Sequence, residues 1–329
     1  MSVEHNARPL PGYRGGATAA AMEADAEAKR IRSRNAAMAA QVRGAARKYW
    51  IFIAPATIAV GLVIVFPWIF TLWMSAHEWN VTGDHAFVGF ANYRKLFTDV
   101  RFLESVWRTF WFTLLATLIP IVLGVWAALV FHREFPFRGI LRTIFVMPMM
   151  ATPVAIALVW TMMFHPQLGV LNYLLSLVGL PPFAWVYDPA TVIPTLVLVE
   201  VWHWTPLVML IVLGGLAGLP TDPYEAALID GASSWQMFRH ITWPLILPYV
   251  MIALVIRTID SLKVFDTIAV ISQGGPGTAS ETLNYFLYLQ AFQFYNLGYA
   301  SAVVVIFFVI IIALSLLLLY LRQKTKWTD

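Results

Sequence analysis

Apolar residues in this chain gather into long uncharged runs, and polar residues into short segments between them. Runs at 50–74, 109–131, 143–164 and 302–321 reach the length of about 20 helical residues that crosses a hydrocarbon core of about 30 Å. Two more, at 192–216 and 247–271, are as long but carry ionisable residues. The pattern predicts an all-α integral membrane protein with six transmembrane helices. Inside the third run, Pro148-Met149-Met150-Ala151-Thr152-Pro153 predicts a bend, because proline removes a backbone hydrogen bond and its ring meets the preceding turn. Such a bend is either a hinge or only a shape.

The polar segments set the organisation. Residues 1–48 form a tail rich in alanine, with nine Lys/Arg against four Asp/Glu. Its stretch 23–47 reads either as a helix on anionic lipid or as a partly disordered, solvated segment. A cleaved signal peptide is not expected, because the apolar stretch begins near Trp50, is too long, and has no evident small-residue cleavage site. A six-helix domain follows over 49–322, with a polar loop at 218–247, and a tail at 323–329. With the N-terminus inside, the first tail, Arg133, Arg138, Arg142, Arg239, Arg322, Lys324 and Lys326 are all cytoplasmic. Outside lie only Arg94, Lys95, Arg101 and Arg108. Since positive charge collects on the cytoplasmic side, both termini and the 218–247 loop are expected there. His77, Glu78, Trp79 and Asp84 then fall in an external, solvated loop.

Composition narrows the function. Hydrophobic residues make up 60% of the 329, charged residues 12%, and the mean hydropathy is +0.71, outside the soluble globular range. Without cysteine, disulfides, thiolate metal sites and cysteine nucleophiles are excluded. Lys29, Lys48, Lys95, Lys263, Lys324 and Lys326 are the six lysines, and none follows the glycine of a phosphate-binding Gly-Lys-Ser/Thr. If ATP drives this protein, another polypeptide binds it. No nucleophile-base constellation or metal motif stands in the short loops, so the chain is not expected to be an enzyme.

The segment 224–248, YEAALIDGASSWQMFRHITWPLILP, is the polar interruption of the second half. Asp222 before Pro223 is a candidate cap with proline at the first helical position, and Glu225-Ala226-Ala227-Leu228 are helix formers. Gly231 lets the backbone turn or another surface approach. A second short helix, 233–240, is expected to end before Pro244. By composition alone, the segment reads equally as an amphipathic loop on the membrane surface or as a docking segment.

Glu225-Ala226-Ala227, then Gly231 after three residues, Ile241 after nine more, and Trp243-Pro244 resemble the "EAA" signature of permease subunits of binding-protein-dependent ABC importers. Trp243 stands where the family usually has leucine. Phe87-Val88-Gly89-Phe90-Ala91-Asn92-Tyr93, Phe265-Asp266, Gly274-Gly275-Pro276 and Gly298-Tyr299-Ala300-Ser301-Ala302 resemble segments of the maltose-type sugar permeases, with Ser272-Gln273 departing from the commoner threonine and small residue. The resemblance implies the type I importer permease fold and a coupling helix fitting a groove on the ATPase. It places that role on Glu225, Ala226, Ala227, Asp230, Gly231, Ile241 and Pro244. It further implies a second homologous permease subunit, two ATPase subunits carrying ATP and Mg, an external solute-binding protein, and a bacterial or archaeal inner membrane. No nucleic-acid partner is implied.

Polar residues inside a membrane are expensive and face an interior or a cavity. The fifth run carries Arg257, Asp260, Lys263 and Asp266; left unpaired, four such charges would cost about 10 to 14 kcal/mol. Spaced three apart with alternating sign, they read either as a self-neutralising ladder along one helix or as a translocation path in which Asp260 accepts and Lys263 donates hydrogen bonds to a sugar. In the fourth run, Glu200 and His203 share a helix face beside Trp202 and Trp204, flat apolar surfaces suited to a pyranose ring. Glu200 and His203 either satisfy each other or belong to that path. A zinc site lacks its remaining ligands.

The reading is a permease subunit of an ATP-driven importer for a carbohydrate or sugar-like solute, working by alternating access. Glycerol phosphate or another anionic sugar derivative is the alternative, since Arg257 and Lys263 suit a negative group. An ion-coupled secondary transporter using the fifth-run charges as a relay is the more distant one, weakened by the absence of an evident internal repeat.

Overall fold

A computed structural model describes residues 15–79 and 85–323. Asp84, Lys324, Lys326 and most of the expected tail at 323–329 lie outside the described residues, as do the first fourteen positions. Contacts divide the chain into two units, Met1–Ile69 and Phe70–Asp329. In the first, one helix, α1 (Gly15–Val60), runs through the expected tail boundary at residue 48. A π-turn at Gly61–Val65 leads from it into α2 (Phe66–Ser75).

The second unit opens with a structure the hydropathy pattern does not carry. His77–Trp79 (β1) and His85–Phe87 (β2) pair antiparallel, His77 opposite Phe87. His77 is therefore a strand residue rather than part of a solvated loop, its ring 4.2 Å from that of Trp73. Then come α3 (Ala91–Thr98), α4 (Val100–His132), α5 (Arg138–Val146), α6 (Pro153–Met163) and α7 (Val170–Leu177). The chain continues through α8 (Val192–Ala217), α9 (Asp222–Ile229), α10 (Ser234–Met237), α11 (Trp243–Leu262), α12 (Leu283–Tyr288) and α13 (Leu297–Gln323). Among the described residues, five helices are long and apolar enough to cross a membrane, or six if the bent pair 138–150 and 153–163 is one span.

That pair carries the bend expected of the third span further, into a break between two helices. The axis turns by 97° between Met150 and Pro153, more than a proline kink gives. Two prolines, Pro148 and Pro153, explain it: Pro148 lies in a 3₁₀ turn, Met147–Met150, and Ala151 and Thr152 are extended before Pro153 starts α6, the conformation that a following proline favours.

The core is the trio α4, α8 and α11, with α4 packed most extensively on α8. Gly124 and Gly215 permit the approach: a Cβ at Gly124 would stand 2.6 Å from Val208, and one at Gly215 2.5 Å from the Tyr249 ring. Two apolar clusters lie along α8. One joins Val192, Leu196 and Val199 to Phe112, Ala116 and Ile268; the other joins Val208, Val212 and Leu216 to Ile121, Val125, Ile246 and Val250. Between them, at mid-length of α8, sits the polar sequence Glu200 to Trp204.

Candidate functional site

Arg257 of α11 reaches that polar layer. Its Nη2 donates to Glu200 Oε2 at 3.2 Å, to Ser261 Oγ at 3.0 Å and to the Ala116 carbonyl at 3.2 Å, while Thr267 Oγ1 donates to Glu200 Oε1 at 2.8 Å. The guanidinium carbon lies 5.0 Å from the Trp204 ring centroid. Arg257 is 1% exposed and Glu200 4%, so each depends on the other for a counter-charge in a medium of low polarity. Arg257 Nε and Nη1 and His203 Nε2 have no partner among the described residues.

Neither structural expectation for these charges holds. Glu200 pairs with Arg257 and Thr267 and makes no hydrogen bond with His203. The ladder along one helix does not form either, because α11 ends at Leu262 with Lys263 as its C-cap. Past Val264 and Phe265 the helix resumes at Asp266 and widens into a π-turn, Ile268–Ser272. Separated by the helix end, Lys263 and Asp266 are no longer on a common face with Arg257.

The break places them around a cavity instead. About 310 Å³ in volume, it is lined by Glu200, Trp204, Arg257, Asp260, Lys263 and Asp266, with Pro153, Val264, Phe265 and Thr267. Glu200, Trp204, Asp260 and Lys263 thus meet at one site, whereas Trp202 and His203 lie outside its lining. Trp202 turns away and meets Trp160 edge-on at 5.6 Å; His203 is buried against Trp204. Ser261, Thr267 and Pro153 are additions, and only the span-three proline pattern hinted at any of them. Three carboxylates and two cations give this lining both acceptors and donors for a polyhydroxylated solute.

Elsewhere the 218–247 loop builds a compact device. Asp222 is the first residue of α9 and Pro223 the second, with Thr221 as N-cap, one position earlier than expected. At the other end Gly231, φ +74°, closes a Schellman motif: Ala232 N–H donates to Ala227 O at 2.9 Å and Gly231 N–H to Leu228 O at 3.1 Å, the αL closure that glycine favours. Ser233 and Gln236 form a capping box at the start of α10, and Tyr224 Oη donates to Thr242 Oγ1 at 3.1 Å, tying the two helices together. The second helix does not end before Pro244. A π-turn at Phe238–Thr242, with Trp243 N–H on Phe238 O, carries it into α11, and proline is tolerated at the second position of the new α-segment, where its missing N–H is least needed. Glu225, Ala226 and Asp230 are exposed and Ala227 and Ile241 half-buried; Leu228, Ile229 and Trp235 are exposed apolar side chains, Ile229 at 87%.

The other motif segments meet each other. Asn92 Nδ2 donates to the carbonyls of Ser75 and His77, and Tyr93 Oη bonds Ser75 Oγ at 2.7 Å. Gly298 lies so close to the same hairpin that a Cβ would stand 2.0 Å from His77 O. Tyr299 Oη donates to Asp99 Oδ2 at 2.6 Å, and Asp99 also caps α4. Arg101 forks onto Glu281 at 2.9 and 2.7 Å, a pairing no sequence signal marked.

A family described as the binding-protein-dependent transport system inner membrane component matches residues 120–327. The trehalose/maltose transport system permease protein MalF of Thermococcus litoralis is 37% identical over 251 residues, 76% of this chain and 83% of that protein. The trehalose transport system permease protein SugA of Mycobacterium tuberculosis is 32% identical, covering 78% and 82% respectively. The sulfoquinovosyl glycerol transport system permease protein SmoG of Agrobacterium fabrum is 32% identical, covering 77% and 83%. Among solved structures, a bacterial ABC transporter involved in the import of the acidic polysaccharide alginate superposes with a TM-score of 0.76 at 22% identity, over 86% of this chain and 99% of that one.

Proposed function

We propose, on the premise that this chain belongs to the family of binding-protein-dependent transport system inner membrane components, that it passes a carbohydrate through the cavity between α8 and α11 and receives its driving motion at Glu225–Gly231. The chain is a multi-pass permease subunit of an ATP-driven importer and not an enzyme. That class removes the ion-coupled transporter from consideration.

The observation that carries the coupling role is the short helix α9, held between two spans by the Schellman closure and the Tyr224–Thr242 bond, with Glu225 exposed. A rigid, exposed helix with Leu228 and Ile229 at its end suits a groove on a partner better than a membrane surface, where adjacent carboxylates Asp222, Glu225 and Asp230 would oppose anionic lipid. In this reading the partners are an ATPase dimer with ATP and Mg, a second homologous permease and an external solute-binding protein. The 218–247 loop and both termini face the cytoplasm of a bacterial or archaeal cell. ATPase closure moves α9; Thr242 and the π-turn transmit the motion to α11; Asp260, Lys263 and Trp204 are thereby exposed alternately to the two sides.

The solute is an uncharged polyol in the main reading, because three carboxylates outnumber two cations around the cavity. An anionic sugar derivative is the second reading, supported by the unpartnered Nε and Nη1 of Arg257. Uptake by the assembled importer, competed with neutral oligosaccharides and with sulfonated or phosphorylated sugars, separates the two. Glu225→Lys should abolish solute-stimulated ATP hydrolysis while membrane insertion is retained; undiminished stimulation would defeat the coupling assignment.

A further inference from the structure

A groove of about 710 Å³ runs along the last three turns of α4, closed on its other side by the coupling segment. Val122, Val125, Trp126 and Leu129 form the α4 wall; Trp235 and Phe238 form the opposite one. Val122 and Trp126 are 67% and 66% exposed, although they belong to a membrane-spanning helix. The mouth is basic. His132 and Arg133 line it where α4 ends, and Arg138 Nη1 donates to the Arg133 carbonyl at 3.4 Å. No carboxylate pairs with Arg133 or Arg138 among the described residues.

We propose that this groove binds an anionic lipid of the cytoplasmic leaflet, its acyl chain along α4 and its headgroup on Arg133 and His132. The proposal rests on the reading that the 218–247 loop is cytoplasmic. From Val122 to Arg133 the helix rises about 16 Å at 1.5 Å per residue, and one leaflet of the hydrocarbon core is about 15 Å deep, so an apolar channel capped by a guanidinium and an imidazole matches one acyl chain with its headgroup. A protein helix in the same place would need the apolar walls but not the Arg133 guanidinium at one end. Juxtamembrane basic residues draw acidic headgroups. Because Tyr224, Trp235 and Phe238 line the groove, its occupant bears directly on the segment that couples transport to ATP.

The test uses the assembled importer, purified and incubated with phosphatidylglycerol or phosphatidylcholine, with retained lipid read by native mass spectrometry. Wild type should retain phosphatidylglycerol selectively. Arg133→Gln should lower that retention about fivefold, and Val122→Trp, which fills the groove from an exposed position, should remove it. Equal retention of the two lipids, or unchanged retention in both variants, would overturn the proposal. So would a photocrosslinker at Val122 that captures the sister permease or this chain's own residues 15–69. Lipid retention is read without transport, so an importer that fails to move carbohydrate yet holds phosphatidylglycerol faults the solute reading alone.

Discussion

Arg257 and Glu200, 57 positions apart on α11 and α8, form an ion pair with 3.2 Å between Nη2 and Oε2, both side chains at most 5% exposed. The pair joins two of the three core helices beside the cavity, where one helix carries half of a neutralising contact that neither supplies alone.

Removing one partner should therefore be worse than removing both. Glu200→Ala leaves a buried guanidinium uncompensated, and a loss of about 3–5 kcal/mol is expected. Glu200→Leu combined with Arg257→Met should recover most of it, as judged by thermal unfolding of the purified complex, yet leave uptake impaired. A double variant as unstable as the single would show that the pair is not a closed unit.

At Gly231 the backbone has φ +74°, and no heavy atom lies within 4 Å of where a Cβ would stand, so the cost of a side chain there is conformational rather than steric. Gly231→Val should weaken the end of α9 by about 1–2 kcal/mol and lower co-purification of the ATPase, while Gly231→Asn, tolerant of the left-handed region, should do less harm. Equal behaviour of the two would point to added bulk at this exposed end of α9 instead.

Gly124 and Gly298 should be intolerant for the opposite reason. A Cβ at either would overlap Val208 or the His77 carbonyl, and overpacking of this kind typically costs about 1–3 kcal/mol. Gly298→Ala should be the more damaging, since its Cβ would stand 2.0 Å from the His77 carbonyl oxygen, against 2.6 Å from the Val208 Cβ and Cγ1 at Gly124. Expression and melting temperature of the two alanine variants provide the comparison.

Arg101 is 37% exposed and its partner Glu281 2%. Arg101→Ala should lower stability by about 1.5–3 kcal/mol, chiefly by stranding a buried carboxylate, whereas Arg101→Lys should restore the charge but not the two-pronged geometry. Melting temperatures of the variants, with Glu281→Gln as a control for the stranded charge, decide the matter.

Much of the fold was legible because bilayer thickness imposes a length on apolar runs. The spans at α4, α8 and α13 follow from that alone, and the short helix at Glu225 from helix formers between a proline and a glycine. Hydropathy could not register the break at Lys263, because local composition does not reveal where a buried helix loses its backbone partners. Nor could it distinguish a kink from the 97° turn at Ala151-Thr152, which depends on two prolines acting on the residues between them.

The sequence by itself determined the class of molecule, the short helix at Glu225 and which polar residues interrupt the long apolar runs, since each follows from length, spacing or helix-forming composition. Only the tertiary structure decided their partners. Glu200 could meet His203 three residues away or Arg257 on another helix, and the choice fell to the packing of α8 on α11, which sets the distance between side chains far apart in the chain. The same packing sent Trp202 outward and Trp204 to the cavity, although two residues separate them by little along the helix and by more than half a turn around it.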